Sequence, residues 1–303
     1  MAAHRPNSHH PPAAVAEETQ YKLASLQHLD LRKHSIDDLV VRVQDLLEGH
    51  VLRTIEFEPG LLLYRGVMCN ELPQRICDVS YPPAEVITRD QRANRAGQPI
   101  FYCSATWHPP FFEAGVKPGD QIVISRWKSR GPLRIVSFGY ADISADDPHS
   151  DRNKALKDAL AQLPETARPV AEFLTNTFTK TVHDDNQHHY RLSVAVAEAC
   201  QLGSAFDGLL YPSAAMPSTA HNLALHPSCI DEGKLTLQYV EHLVVNGVET
   251  ETIDVRSLDF ANRSEPDGRL CWLGRPGNWV LREGGEAADC RYENHRWTTS
   301  APS

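Results

Sequence analysis

The stretch LLLYRGVM, residues 61–68, decides the fold that we expect for this chain. Its residues alternate between two faces as in a β-strand, which places Leu63, Arg65 and Val67 together. An arginine therefore lies in an otherwise apolar row. Because an unpaired guanidinium is costly to bury, Arg65 needs a partner, either a protein carboxylate or a ligand phosphate. Taken alone, the strand favours an internal ion pair.

The composition indicates a globular protein and argues against several classes. The chain has 303 residues and a formal net charge of -9, whereas general nucleic-acid binding relies on basic surface. No apolar run reaches the ~18 residues of a membrane span, and the N-terminus lacks a signal core. The seven cysteines include no CxxC pair, which argues against a disulfide framework or zinc ribbon. We therefore expect a cytoplasmic protein that binds neither nucleic acid nor membrane.

Three arginines precede a second predicted strand, PIFYCSA at residues 99–105. Arg89, Arg92 and Arg95 fall within seven residues of an irregular segment. This cluster is either a solvated loop or a loop that closes over an anion.

A carboxylate follows that strand in TWHPPFFEAG. Pro109 and Pro110 predict a short helix, with Glu113 in or near its first turn. Because Glu113 is flanked by apolar residues, it is a candidate acid or electrostatic group. A capping or salt-bridge glutamate is the alternative interpretation.

The stretch FDGLLYPSAAM, residues 206–216, predicts a buried strand that ends in a turn. Ser213 in this turn is well placed to present its hydroxyl to a cleft. The context is not GxSxG, and no His–Asp partner set accompanies it, so a hydrolase nucleophile is not supported. The segment HDDNQHH, residues 183–189, lacks metal-ligand spacing. We expect a polar loop there and no metal site.

Helices and a hairpin complete the pattern. We expect an amphipathic helix at 35–48 with Ser35 as N-cap, and further helices at 151–163, 168–182 and 191–202. The stretch KLTLQYVEHLVVNGVETETIDV predicts a β-hairpin that turns at Asn246–Gly247, because this dipeptide favours the positive φ angles of a tight turn.

Four segments together resemble the RES domain, a family named for its Arg, Glu and Ser. They are LYRG with Arg65, RANRAGQPIFY with Tyr102, the glutamate Glu113, and GLLYPSA with Ser213. Each segment is short, but their order makes the set more specific than any one of them. The NLALHP strand after the serine also fits, so the resemblance runs from about residue 60 to about residue 230.

The resemblance implies an α+β fold related to ADP-ribosyltransferase toxins, with a mixed sheet and flanking helices. It implies an NAD+-degrading enzyme that cleaves the nicotinamide–ribose bond by hydrolysis or phosphorolysis, with NAD+ as substrate and no separate cofactor. Candidate partners are an antitoxin or immunity protein and a second copy of the chain. The alternatives are an ADP-ribosyltransferase acting on a macromolecule and a non-catalytic nucleotide-binding module.

The resemblance also assigns site residues. Arg65, Glu113 and Ser213 match the catalytic triad of the family name, and Tyr102, Arg92 and Asn94 match its substrate-binding positions. In the implied mechanism Arg65 holds the pyrophosphate and Glu113 stabilises the ribosyl cation. Tyr102 stacks on a ring, and Ser213 bonds ribose or carboxamide.

The sequence divides into five expected segments. We expect a disordered tail at 1–20, an N-terminal helical extension at 21–58, the RES domain at 59–232, a C-terminal β-rich extension at 233–297, and a frayed tail at 298–303.

Overall fold

A computed structural model gives the fold of most of the chain. It describes residues 12–50, 52–138, 163–165, 167–180, 182, 184–200, 205–213, 215, 220–249, 252–274, 280–281, 287–288, 290–293 and 296–299. The described residues contain no helix with the length and apolar character of a membrane span. The predicted helix at 151–163 and most of the predicted tail at 298–303 lie outside these ranges.

A ten-stranded mixed sheet forms the frame of the fold. In chain order its strands are β1 Thr54–Phe57, β2 Leu62–Met68, β3 Phe101–Ser104, β4 Gln121–Ser129, β5 Leu133–Ser137, β6 Gly208–Pro212, β7 His221–Leu225, β8 Leu235–Glu249, β9 Thr252–Ser264 and β10 Leu270–Trp272. Their order in space is β1-β5-β6-β7-β3-β2-β4-β8-β9-β10. Strands β5 and β6 pair in parallel, and the other neighbours pair antiparallel. Two separate pairs consist of β11 Val280–Leu281 with β12 Ala287–Ala288 and β13 Cys290–Glu293 with β14 Arg296–Thr299.

The sheet has a weak seam between β2 and β3. These two strands share one registered pair, Tyr64 with Ser104. By contrast, β2 pairs with β4 along its whole length, from Leu62 to Met68. The backbone pairing between β2 and β3 is therefore short. The candidate site lies beside this single pair.

Helices cover both sides of this frame. They are α1 Pro12–Gln27, α2 Ile36–Leu47, α3 Pro109–Ala114, α4 Arg168–Thr179, α5 Tyr190–Ala199 and α6 Ser228–Asp231, with 3-10 helices at Leu31–Lys33, Ile76–Val79, Ala84–Val86 and Asp184–His189. The predicted Ser35 cap of α2 is confirmed, because its hydroxyl accepts the Asp38 amide N–H. The α+β prediction, with a mixed sheet and flanking helices, is also confirmed.

The core has three apolar clusters. Helices α1, α2, α4 and α5 pack on one face of β5, β6 and β7 and bury residues such as Leu39, Phe178 and Leu209. The opposite face buries a second cluster around Phe101 and Trp127. A smaller cluster under α3 contains Phe111, Ile122, Ile124 and Leu243. Successive apolar residues along a strand therefore point to opposite faces of the sheet and supply the core on both sides.

The prediction of disorder was wrong for residues 12–20, because α1 begins at Pro12, and residues 1–11 lie outside the described ranges. Its sequence PAAVAEETQYKLASLQ is rich in strong helix formers. The apolar side of this helix buries Leu23 and Leu26 in the core. Composition alone indicated disorder, whereas tertiary packing stabilises the helix.

The predicted turn at Asn246–Gly247 was also wrong. Strand β8 continues through both residues to Glu249, and its register with β9 shifts between Val245 and Gly247. The dipeptide therefore forms a bulge, and the chain reverses between Glu249 and Thr252. Because β8 pairs with β4 along its length, the predicted C-terminal extension continues the same sheet.

Candidate active site

A polar row crosses the sheet at the seam and forms the floor of a cavity. Tyr64, Ser104, Asn222 and Tyr211 are registered partners on β2, β3, β7 and β6. Registered partners point to the same side of a sheet, so all four side chains share one face. They line a cavity of about 420 Å³, within the roughly 300–1,000 Å³ of typical ligand pockets.

Arg65 reaches this cavity from the middle of β2. Its guanidinium turns into the gap between β2 and β3, where Nη1 donates to the Tyr102 carbonyl at 3.0 Å and the group lies 5.7 Å from the Phe101 ring centre. Among the described residues, no carboxylate pairs with Arg65 and nothing bonds its buried Nε. The internal ion pair favoured by the strand alone is absent among the described residues, where the Tyr102 carbonyl bonds the guanidinium instead.

Burial also affects the charge of Arg65. Desolvation lowers the pKa of its guanidinium to about 10, because a buried charge loses its hydration. The side chain nevertheless keeps its positive charge at neutral pH. Arg65 is thus a partly buried, incompletely bonded cation on the cavity wall.

Helix α3 brings Glu113 over the floor. Pro109 and Pro110 open the helix as predicted. A Cβ atom at Gly66 would lie 2.9 Å from the Pro110 Cβ, a distance that side chains do not tolerate. The absence of a side chain at Gly66 therefore permits the close approach of α3 to β2. Glu113 is the fifth residue of this six-residue helix, directly after the first turn near which it was predicted.

Two donors hold one oxygen of the Glu113 carboxylate. Oε1 accepts hydrogen bonds from the Ser213 hydroxyl and from Asn222 Nδ2, the latter at 2.6 Å. In the part of the chain that the structure describes, no group donates to Oε2. Glu113 is solvent-exposed and lines the cavity. The carboxylate is therefore oriented by the protein and still accessible to a ligand.

Ser213 lies behind Glu113, directly after β6 as predicted. Its side chain is fully buried, with 0% exposure, and it is not on the cavity wall. Its backbone N–H donates to the Ala220 carbonyl at 3.0 Å. The structure therefore places the serine hydroxyl on Glu113, and its assignment as a ribose or carboxamide contact stays a prediction.

Tyr102 lies on the wall with Asn94 beneath it. The Tyr102 hydroxyl donates to Asn94 Oδ1 at 2.7 Å and accepts the Ala93 N–H at 2.8 Å. Asn94 is only 2% exposed, and its amide donates to the carbonyls of Arg95 and Gln98. Burial raises the pKa of the Tyr102 hydroxyl far above neutral pH. Asn94 thus positions Tyr102, and a direct substrate contact by Asn94 stays a prediction.

The three clustered arginines have different environments. Arg89 and Arg92 line the cavity, and Arg92 donates to the carbonyls of Phe178 and Lys180 at 2.6 and 3.1 Å. Arg95 instead pairs with Glu198 and with the α2 carboxylate of Asp37. The loop therefore presents two cations to the cavity, while the third joins α2 to α5.

The model of the RES domain family matches residues 73–243. This range is more than half of the 303 residues. The chain belongs to the RES domain family. No curated protein matches it. The matched range includes Tyr102, Glu113 and Ser213 but begins after β2, so geometry alone places Arg65 in this RES domain site.

Sequence reasoning missed the two RES domain residues that support Glu113 from the sheet. Asn222 bonds Glu113 directly, and Ser104 bonds Asn222. Both are polar residues at inward positions of otherwise apolar strands, FYCS and HNLAL. A search for polar residues on the inward face of predicted strands would have found them.

A metal centre is not apparent in the described RES domain. Within the ranges given above, no group of three His, Cys, Asp or Glu side chains is placed to hold an ion. The predicted polar loop at 183–189 contains a 3-10 helix, Asp184–His189, and residue 183 lies outside the description.

Proposed function

We propose that this RES domain protein cleaves the nicotinamide–ribose bond of NAD+. The observation that carries the proposal is the Glu113 carboxylate. Ser213 and Asn222 hold its Oε1, and the carboxylate shares a cavity with the partly buried cation Arg65. A fixed negative charge and a fixed positive charge on one cavity suit a substrate that develops positive charge next to a pyrophosphate.

The chemistry requires little proton transfer. When the N-glycosyl bond breaks, its electron pair moves to the pyridine nitrogen and nicotinamide leaves as a neutral molecule. The ribose carbon gains positive charge, as in glycoside hydrolysis. Glu113 then stabilises this charge more strongly in the transition state than in bound NAD+, which is the condition for acceleration. Addition of water to that carbon gives ADP-ribose and releases one proton.

In this proposal Arg65 binds the pyrophosphate. A guanidinium forms charge-assisted and often bidentate bonds to phosphate oxygens. Its Nη1 bonds the Tyr102 carbonyl, and the side chain lines the cavity that the pyrophosphate would enter. Arg89 adds a second, exposed cation on the cavity wall.

Aromatic residues supply surfaces for the flat rings of a dinucleotide. Tyr64, Tyr102, Tyr190 and Tyr211 all line the cavity. Tyrosine rings stack on planar ligands while their hydroxyls bond polar groups. This lining supports a nucleotide over a small inorganic anion as the ligand.

Incubation of the purified full chain with NAD+ tests the proposal. Chromatography and mass spectrometry of the products, with and without inorganic phosphate, identify the acceptor. Nicotinamide with ADP-ribose indicates hydrolysis, and a phosphorylated ADP-ribose indicates phosphorolysis. Release that requires an added macromolecule, which then carries ADP-ribose, supports the transferase alternative. Binding of NAD+ without any release contradicts an enzymatic function.

A further inference from the structure

Asn222 links the sheet to Glu113. It lies in β7 opposite Ser104 of β3, and the two side chains are 7% and 2% exposed. The Ser104 hydroxyl donates to Asn222 Oδ1 at 2.8 Å. Asn222 Nδ2 donates to Glu113 Oε1 at 2.6 Å. A hydrogen-bond chain therefore runs from the sheet floor to the carboxylate.

The direction of this chain follows from donor and acceptor chemistry. A carboxylate oxygen only accepts, so the NH2 end of the Asn222 amide must face Glu113. The carbonyl end then faces Ser104, whose hydroxyl can donate to it. The reversed amide would place two oxygens against each other. The Glu113 carboxylate thus fixes the donor end of Asn222 toward itself, and the Ser104 hydroxyl bonds the other end of the amide.

We propose that Asn222 is the positioning residue of the Glu113 carboxylate and that Ser104 supports it. Glu113 lies at the exposed end of a short helix, so its side chain has little packing to restrain it. One bond from Ser213 leaves the carboxylate free to turn about that contact. The second bond from Asn222 comes from a neighbouring strand and fixes the carboxylate plane.

This inference rests on the proposed function, because a fixed carboxylate matters when positive charge develops beside it. Electrostatic stabilisation depends on groups that need not reorganise during the reaction. A displacement of about 1 Å at a reacting centre can reduce the rate about 100-fold. Ground-state NAD+ carries little positive charge on the ribose. Loss of the Asn222 contact should therefore lower kcat and leave KM nearly unchanged.

Steady-state kinetics of nicotinamide release test the role. We expect Asn222→Asp and Asn222→Ala to lower kcat about 10- to 100-fold, with KM within about twofold of wild type. Asn222→Asp preserves size but removes the donor. Asn70→Asp makes the same charge change at an exposed position and should be neutral. Unchanged kcat in both Asn222 variants would overturn the proposal, and so would a loss confined to KM.

A double-variant comparison separates positioning from a general structural role. If Asn222 acts through Glu113, then Asn222→Ala should lower kcat little further in a Glu113→Gln background. Losses that multiply across the two sites would contradict positioning.

Thermal melts without NAD+ keep the inference testable should the proposed function fail. If Asn222 and Glu113 are hydrogen-bonded, Asn222→Ala should lower Tm less in a Glu113→Ala background than in wild type. An equal decrease in Tm in both backgrounds would contradict the hydrogen bond between Asn222 and Glu113. Absence of nicotinamide release from wild type would overturn the proposed function instead.

Discussion

Ser213 and Glu113 are 100 residues apart in the chain, yet the Ser213 hydroxyl donates a hydrogen bond to the Glu113 carboxylate. The serine is fully buried at the end of β6, and the glutamate is exposed on α3. The serine therefore stands behind the glutamate, while the glutamate faces the cavity. In the proposed function, Ser213 therefore has a supporting role and Glu113 the electrostatic one.

Removal of the Ser213 hydroxyl should weaken the reaction without abolishing it. We expect Ser213→Ala to lower kcat about 10- to 100-fold, because the carboxylate loses one of its two orienting donors. Nicotinamide release at saturating NAD+ measures the effect, with the exposed Ser264→Ala as matched control. A loss of roughly a millionfold, the size seen when a nucleophilic serine is removed, would contradict the supporting role.

Replacement of Arg65 should separate ligand binding from stability. We expect Arg65→Met to weaken NAD+ binding strongly while the folded protein retains a Tm at or above that of wild type. The loss of a buried charge-assisted phosphate contact costs on the order of 2–5 kcal/mol of binding. Replacement of the partly buried Arg65 guanidinium by an apolar side chain also removes the free-energy cost of desolvating the charge. Calorimetry and thermal melts measure the two effects, and wild-type affinity in the folded variant would contradict the assignment.

The difference in Tm between Arg65→Met and wild type should depend on pH in a defined direction. Burial lowers the pKa of Arg65 to about 10, so near that pH and above it the unfolded chain holds the proton more tightly than the folded one. The destabilisation by Arg65 is therefore complete below pH 10 and declines as the pH rises through 10. The Tm advantage of Arg65→Met should shrink over that window. An advantage that grows above pH 10 would contradict the burial of the charge.

A side chain at Gly66 should displace α3. We expect Gly66→Ala to lower both Tm and nicotinamide release, because its Cβ would approach the Pro110 Cβ to 2.9 Å. Gly131→Ala is the matched control, since a Cβ there meets nothing within 4 Å. Equal Tm and rate for the two variants would show that α3 does not depend on this close approach.

Helix α1 should contribute to stability although its sequence resembles a disordered tail. We expect Leu26→Ala to lower the free energy of unfolding by about 2–5 kcal/mol, the usual range for a buried leucine. Leu26 is 3% exposed, whereas Tyr21 on the same helix is 77% exposed. Urea titration should show a change within about 0.5 kcal/mol for Tyr21→Ala. Similar small changes for both variants would contradict the packing of α1.

The strands were the most predictable part of the fold. The stretches at 61–68, 99–105 and 206–216 contain β2, β3 and β6, because strands buried on one or both faces leave a clear apolar pattern. The predicted turn at Asn246–Gly247 was wrong because asparagine and glycine are favoured both in tight turns and in β-bulges. Local sequence does not show which of the two occurs, since the register depends on the neighbouring strand.

The candidate site was predictable in its residues and not in its contacts. Arg65 stood out as a cation in an apolar strand, but the sequence did not show that no carboxylate among the described residues pairs with it beside the seam between β2 and β3. Asn222 gave only a weak signal, because a polar residue in a buried strand has many explanations. The ion pairs of Arg95 with Glu198 and Asp37 join segments far apart in the chain, and single-sequence patterns do not reveal such pairings.

The central claim is that Glu113 stabilises the ribosyl cation during cleavage of NAD+. Glu113→Gln keeps the size of the side chain and removes its charge, and Glu56→Gln makes the same change at an exposed position of β1. The most direct measurement is nicotinamide release at saturating NAD+ by wild type and both variants, with a thermal melt of each. We expect Glu113→Gln to be about 100- to 1000-fold slower, with Tm within about 2 °C of wild type, while Glu56→Gln is unchanged. Equal rates for wild type and Glu113→Gln would contradict the claim, and so would a loss of rate explained by unfolding of the variant.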